Sequence, residues 1–169
     1  VLADAIDSVR TGYERFDIRF ETDLDTEMFP VLMDVDQFTH SVIMNLFTNA
    51  KEAIGEHGTI TVRTRTDGDL VLVEIADNGP GIPPDAVPHI FEVFYSTKDH
   101  GTGLGLGIAG RLCHELGGSL TLGDTGPQGT VFVIRLPSSR ILTFDEDAEA
   151  LRGAADESAA VPDDPADGE

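Results

Sequence analysis

The chain has 169 residues, 31 of them acidic and 11 basic, for a net charge of −20 at neutral pH. That length suits one domain with a real core, and that charge argues against nonspecific binding to DNA or to an anionic membrane. One cysteine, Cys113, excludes a disulfide framework within the chain.

In chain order, Ala3 to Val9 reads as a short helix followed by a turn at Gly12. Arg15 to Glu21 alternates as a strand does, with Phe16, Ile18 and Phe20 on one side. An acidic loop from Asp23 to Glu27 leads to a short strand over Val31 to Met33. Asp34 or Asp36 can cap a helix running from about Val35 to Ile54. Its buried stripe is Phe38, Val42, Leu46, Ala50 and Ala53, and Gly55 with His57-Gly58 ends it. Thr59 to Arg65 and Leu70 to Ile75 form two strands joined at Asp67-Gly68, a tight hairpin signal. Ile82 to Gly101 is a long loop, with a short helix expected near Asp85 to Phe91, and a loop of that length inside a compact domain is usually functional. A helix from about Leu104 to Leu116 stops at Gly117-Gly118. Ser119 to Leu122 and Thr130 to Leu136 are the last strands, turning around Gly126-Pro127. The order predicts an α/β two-layer sandwich: one mixed sheet with helices over one face.

Residues 1–140 form the expected domain, and 141–169 an acidic tail with the composition of disorder. Ten acids and one arginine lie between Asp145 and Glu169. Lysine is limited to Lys51 and Lys98, with nine arginines. Because acids are spread over every expected loop, a surface adapted to high salt is favoured over a docking face for a cationic partner, since concentrated salt screens the repulsion. No stretch is apolar enough to cross a bilayer, and no signal peptide is present. The chain starts at Val1 rather than Met, so a piece of a longer protein is expected.

Three stretches carry chemistry. Asn45 and Asn49 share a helix face. Their amide oxygens suit Mg²⁺, and two asparagines inside an otherwise good helix cost propensity. The alternative is a face turned to water. Asp77 ends a strand at Asp77-Asn78-Gly79-Pro80-Gly81, where a carboxylate can accept a hydrogen bond from an exocyclic amine. Gly79 and Gly81 let the backbone pass close to a flat ring, though Asp-Asn-Gly is also an ordinary turn signature. The run Gly101-Thr102-Gly103-Leu104-Gly105-Leu106-Gly107 opens a helix with a row of backbone N–H groups suited to phosphate. It is not the dinucleotide fingerprint, which follows a strand early in a βαβ unit, nor a P-loop, since no Gly-Lys-Ser/Thr follows. Lys98, just before it, can reach a terminal phosphate. Phe91 and Phe94 can anchor the loop on the domain.

These elements together resemble the ATP-binding catalytic domain of sensor histidine kinases, in the Bergerat-fold superfamily that also holds gyrase, the Hsp90 chaperones and MutL. Asn45-Leu46-Phe47-Thr48-Asn49-Ala50 resembles its N box, residues 77–81 its first glycine box, Phe91-Glu92-Val93-Phe94 its F box and residues 101–107 its second glycine box. Gly126-Pro127-Gln128-Gly129-Thr130 resembles its last glycine element. The resemblance covers roughly residues 1 to 137. It implies ATP and Mg²⁺ as cofactors. Asn49 would hold the metal, with Asn45 supporting it or the phosphates. Asp77, with Gly79 and Gly81, would form the adenine site, and Thr130 would join its water network. Gly101, Thr102, Gly103, Leu104, Gly105 and Leu106 would hold phosphates, and residues 83 to 102 would be an ATP lid that sets Lys98 near the γ-phosphate.

The resemblance also implies the partners: a dimerising helical domain upstream that carries the acceptor histidine, and a response regulator downstream. No nucleic-acid or membrane contact is expected of the domain itself. The setting expected is cytoplasmic, in a protein either soluble or membrane-anchored, with a halophilic archaeon as the expected source. Gyrase-like and MutL-like ATPases place a Glu where this chain has Asn45, and an amide cannot serve as a general base. Glu52 does not replace it by spacing. None of the five histidines fits the acceptor, and His114-Glu115-Leu116, which faintly resembles it, ends in a glycine stop. The alternatives are a GHKL-type ATPase, a non-catalytic nucleotide-binding module and a serine kinase of the same fold.

Overall fold

Alternation along the strands decides the architecture. The computed structural model describes residues 2–97 and 101–139. Five strands form one sheet: β1 (Ile18–Asp23), β2 (Gly58–Asp67), β3 (Leu70–Asp77), β4 (Ser119–Gly126) and β5 (Gly129–Pro137). Their spatial order is β1-β2-β3-β5-β4. Only β1 and β2 run parallel; the other three pairings are antiparallel. Val62 lies opposite Ile75, and Ile75 opposite Phe132. Thr64, Val73 and Ile134 form the next buried row. The intervening Arg63 and Glu74, and Arg135 one pair further along, point to the other face, where Arg135 Nη1 donates to Thr121 Oγ1 at 2.9 Å. A sheet with one face on the core and one solvated reads as apolar in, polar out.

The helices lie on the buried face: α1 (Leu2–Glu14), α2 (Val35–Phe38), α3 (Met44–Ile54) and α4 (Gly105–Glu115). This is the mixed, mainly antiparallel sheet covered on one side that the sequence predicts, the Bergerat arrangement. The Asp34 cap is present, with Oδ1 accepting the Gln37 N–H at 2.9 Å. Phe38, Val42, Leu46 and Ala50 are all buried, as the stripe requires. Gly55, at φ +73°, ends α3.

Several boundaries differ. The first helix does not stop before Gly12 but runs on to Glu14. Buried Ala5, Ile6, Val9 and Tyr13 continue one stripe, and that burial outweighs the roughly 1 kcal/mol a helical glycine costs. The first strand begins at Ile18, because Asp17 takes φ +52° and the Phe16 and Asp17 N–H groups still bond back to Tyr13 and Glu14. Phe16 instead lies under Lys51, whose Nζ stands 4.0 Å from its ring centre. No strand forms over Val31–Met33. There the Pro30 carbonyl takes both the N–H and the Oγ–H of Ser139, and Leu32 is exposed. In the long loop, the short helix expected near Asp85–Phe91 is a single 3₁₀ turn at Val87–His89. The expected 35–54 helix is split by a π-helical turn, Thr39–Ile43, between α2 and α3. Among the described residues no helix is long and apolar enough to cross a membrane. The tail from 141 onward lies outside the described residues.

Phe47 is fully buried, with its ring 5.3 Å from that of Phe20 in an edge-on arrangement. Phe47→Ala should therefore cost about 3–5 kcal/mol, read as a lower urea midpoint at unchanged slope.

Candidate functional site

A cleft of about 460 Å³ opens between α3, the end of β3, the long loop and the start of α4. Each wall has its own physical cause.

The α3 wall depends on the π turn. Within it the Met44 N–H reaches back five residues to the Thr39 carbonyl. The Ser41 carbonyl, inside the same wide turn, accepts the Asn45 Nδ2–H at 2.7 Å. That bond orients the Asn45 carboxamide, and its Oδ1 faces Gly105, where a Cβ would stand 3.0 Å away. Asn49 lies one turn on, lining the cleft with Thr48 and Glu52. Behind them Tyr13 of α1, buried, hydrogen-bonds Thr48. Its phenol pKa is raised, mainly by burial; the Thr48 bond lowers it and the Glu52 charge adds to the rise.

The floor is Asp77, the last residue of β3. It pairs with Ile60 on one side and Thr130 on the other. Gly79 N–H donates to its Oδ1 at 2.8 Å. Burial raises the Asp77 pKa above the usual carboxylate value, and the Gly79 and Thr130 N–H groups pull it part of the way back. The folded chain thus holds this proton more tightly than the unfolded one. The carboxyl's contribution to stability is most favourable below the unfolded pKa of 3.8 and is lost as pH rises through the folded value. Thr130 is buried beside it, and its Oγ1 shares a hydrogen bond at 3.2 Å with Thr125 Oγ1, which accepts the Ile82 N–H at 2.8 Å. The start of the long loop is pinned to the β4–β5 hairpin in this way.

Two glycine contacts close the floor. Gly129, at φ +127°, lies against the Asp77 carbonyl oxygen, and a Cβ there would overlap it. Gly81, at φ +82°, meets the Gly126 backbone as closely.

The remaining wall is the glycine run, and its glycines divide the labour. Gly101, Thr102, Gly103, Gly105 and Leu106 line the cleft, whereas Leu104 does not. Gly103, at φ +64°, packs against the Phe94 backbone and its carbonyl accepts the Phe94 N–H at 2.8 Å. Gly107 faces Val93, whose Cγ2 would be 3.1 Å from a Cβ. Gly105 alone makes room for Asn45. Gly103 and Gly107 thus seat the Phe91–Phe94 segment, and Gly103 does so while lining the cleft as expected of the run.

Asn45, Asn49, Asp77, Gly81 and Thr130 are thus brought to one cleft. Gly79 is not on its wall and serves by its N–H. Lys98 lies outside the described residues. Thr48 and Glu52 were missed as cleft residues, although each stands three residues after an asparagine on the same helix face. Tyr95 and Phe132 also line the cleft, and no motif announces them. The site joins a carboxylate and apolar walls at one end to amide oxygens and bare backbone N–H groups at the other. That suits an elongated ligand with a flat donor-bearing head and an anionic tail.

Residues 34–140 match the family model described as histidine kinase-, DNA gyrase B-, and HSP90-like ATPase. The chain is 41% identical over 105 residues to the sensor histidine kinase ZraS of Salmonella typhi, covering 62% of this chain and 22% of that protein. It is 40% identical over 128 residues to the sensory histidine kinase/phosphatase NtrB of Rhodobacter capsulatus, covering 68% and 36%. Among solved structures, the nucleotide-free catalytic domain of histidine kinase ThkA matches with TM-score 0.72 and 29% identity over 80% of this chain and 89% of that one. ThkA in complex with response regulator protein TrrA matches with TM-score 0.69 and 27% identity, over 81% of this chain and 39% of that one. The chain therefore spans between about a fifth and two fifths of these curated relatives. None of these likenesses bears on a salt-adapted or archaeal source.

Gly129→Ala should cost about 1–3 kcal/mol through backbone strain at the Asp77 contact. Gly126→Ala, with open space around it, should stay within about 0.5 kcal/mol. Chemical denaturation of the two variants side by side checks the difference.

Proposed function

Because the chain belongs to the family of histidine kinase-, DNA gyrase B- and HSP90-like ATPases, we propose that residues 1–140 are the catalytic domain of a sensor histidine kinase. On this reading the domain binds Mg-ATP and transfers the γ-phosphate to a histidine on a separate helical domain upstream, from which a response regulator takes it. The observation that carries the reading is the convergence of Asn45, Asn49, Asp77, Thr130 and the glycine run on one cleft.

The residues present fit the nucleotide and its metal. The Asp77 carboxylate is held by two N–H groups and keeps capacity to accept the adenine amine. Asn49 and Asn45 offer neutral amide oxygens of the kind Mg²⁺ takes alongside water and phosphate. A side chain at position 105 would press on the Asn45 amide, so the glycine preserves the space at the phosphate end. The N–H groups of residues 101–106 stand at a helix start, where the dipole favours anions. Lys98 is assigned to the terminal phosphate by its place in the sequence. Mg-ATP supplies the phosphoryl group, and the metal offsets the charge that spreads over it during transfer.

The protein's own part is then positioning and charge stabilisation rather than proton abstraction. Asn45 cannot act as a base, so water is poorly activated and the γ-phosphate waits for a nucleophile from outside. Val93 and Phe94, within the segment read as the lid, and Ile108 of α4 are exposed, Phe94 at 77% and with a strained φ of +71°. An apolar cluster there supports docking of a helical partner next to the phosphate end. One observation favours a second reading: Glu52 lines the cleft one turn after Asn49, where a carboxylate could activate water and make the domain an ATPase.

Phosphotransfer from labelled ATP separates the two. The domain is mixed, with Mg²⁺ and at high salt, with the helical region that precedes Val1 in its parent gene. The kinase reading expects acid-labile, base-stable label on that region and negligible phosphate release by the domain alone. Steady hydrolysis, lost in Glu52→Gln, would establish the ATPase reading instead.

Asp77→Asn should weaken ATP binding by roughly 10- to 100-fold, the loss of one charge-assisted hydrogen bond of about 1.5–3 kcal/mol. Affinity of the unaltered protein should also fall as the medium is acidified through the raised Asp77 pKa, because only the carboxylate form accepts the amine without competition. That acid step should be absent in Asp77→Asn, as titration calorimetry across pH would show.

A further inference from the structure

A second cavity, about 340 Å³, lies at the other end of the helix layer and has no part in the nucleotide cleft. Its walls are apolar, among them Leu24, Met28, Met33, Phe38, Val73 and Leu136. The segment from Met28 to Asp34, without regular structure, and Val35 at the start of α2 form one side, and Leu32 and Val35 stand exposed, Leu32 at 73%. A void of roughly 150 Å³ holds a benzene-sized ring, so this one has room for an aromatic and an aliphatic side chain together. An open apolar groove of this kind on a chain this acidic calls for an occupant.

The chain itself supplies one. Ser139 is fastened to Pro30 by two hydrogen bonds, its N–H and its Oγ–H both donating to the Pro30 carbonyl at 2.8 and 2.9 Å. Pro30 lines the cavity, so the chain leaves the fold at its rim. The next residues are Arg140-Ile141-Leu142-Thr143-Phe144, with no acid among them, and the acidic run starts only at Asp145. Five extended residues reach up to about 17 Å, enough to cross a groove of this size. An apolar island thus sits between the fold and its acidic tail, tethered at the mouth of an apolar groove. Tethering converts docking into an intramolecular event, which needs little contact energy of its own.

We infer that Ile141, Leu142 and Phe144 fold back into the groove beneath Met28–Val35 and act as a C-terminal clasp on that segment. The clasp is salt-dependent. Asp25 lines the groove, and Asp34 and Asp36 stand exposed beside it, while the acids from Asp145 onward follow close behind the clasp. These like charges repel across a Debye length of about 30 Å at 0.01 M salt but only about 3 Å at 1 M, whereas burial of the apolar side chains is not weakened by screening.

The test is amide hydrogen exchange on the full 169-residue chain and on its Ile141→Asp/Phe144→Asp variant. Both substitutions lie outside the described fold, so the sheet amides report whether folding is intact. In about 1 M salt the unaltered chain should protect the amides of Met28–Val35 at least tenfold more than the variant, with nucleotide binding equal in the two. In about 0.01 M salt the difference should shrink. A Val35→Cys/Phe144→Cys chain should form an intramolecular disulfide on mild oxidation. Cys113 stays out of that reaction, since it is buried and its thiol is pushed up to about 11. Equal protection in the two chains at high salt would overturn the clasp. So would protection that rises with protein concentration, which would put a second copy in the groove.

Discussion

Where Gly129 meets the carbonyl of Asp77, two backbones touch with no side chain between them, and the cleft depends on that contact. It brings the turn between β4 and β5 onto the end of β3, as Gly81 on the Gly126 backbone does a few residues away. Once the turn is seated, Thr130 falls opposite Asp77, its N–H helps to hold the carboxylate, and Thr125 is placed to catch the Ile82 N–H. A carboxylate deprived of much of its water needs such donors to stay charged. Two glycines without side chains are therefore what permits one residue with a charge.

The other end of the cleft is built by different means. Asn45 is aimed by a hydrogen bond to the backbone of its own helix, and α4 begins against it with a glycine. Between the two ends, the long loop is fastened at Ile82 through Thr125 and at Phe94 through Gly103. Between those ties Ala86 and Ile90 are buried and the Phe91 ring meets that of Phe132 edge-on at 6.3 Å, so this part of the loop is packed on the domain as well as tied to it. Tyr13 adds a connection of another kind. It belongs to α1 yet touches Thr48, a cleft residue, so the first helix is in mechanical contact with the site.

Much of this was legible in the residues. The Asp67-Gly68 hairpin, the Asp34 cap and the Phe38–Ala50 stripe rest on local chemistry, and each has the predicted place. The cleft residues Asn45, Asn49, Asp77 and Thr130 come together because the sheet register and one helix face bring them there. What escaped was set by tertiary packing. Gly12 does not end α1, because the stripe it interrupts is buried on both sides. Val31–Met33 has strand-forming residues, but its neighbour Pro30 spends its carbonyl on Ser139. The double duty of the glycine run is invisible in sequence, since a glycine that spares a ligand and one that spares a phenylalanine backbone look alike.

The π turn was equally hidden, because Thr39–Ile43 holds neither glycine nor proline. It is one residue longer than a straight helix requires, and that gives it a genetic meaning. Loss of one codon anywhere in this stretch would heal the hydrogen-bond ladder and yield a locally better helix. The faces on either side would hold, because the wide turn takes up its surplus residue without rotating the helix beyond it. Phe38 would stay on the core side and Asn45 on the cleft side; what would go is the wide turn in which the Ser41 carbonyl takes the Asn45 amide. Such a deletion would spare the fold and disturb the aim of one amide, so the surplus residue is kept by the cleft and not by the core.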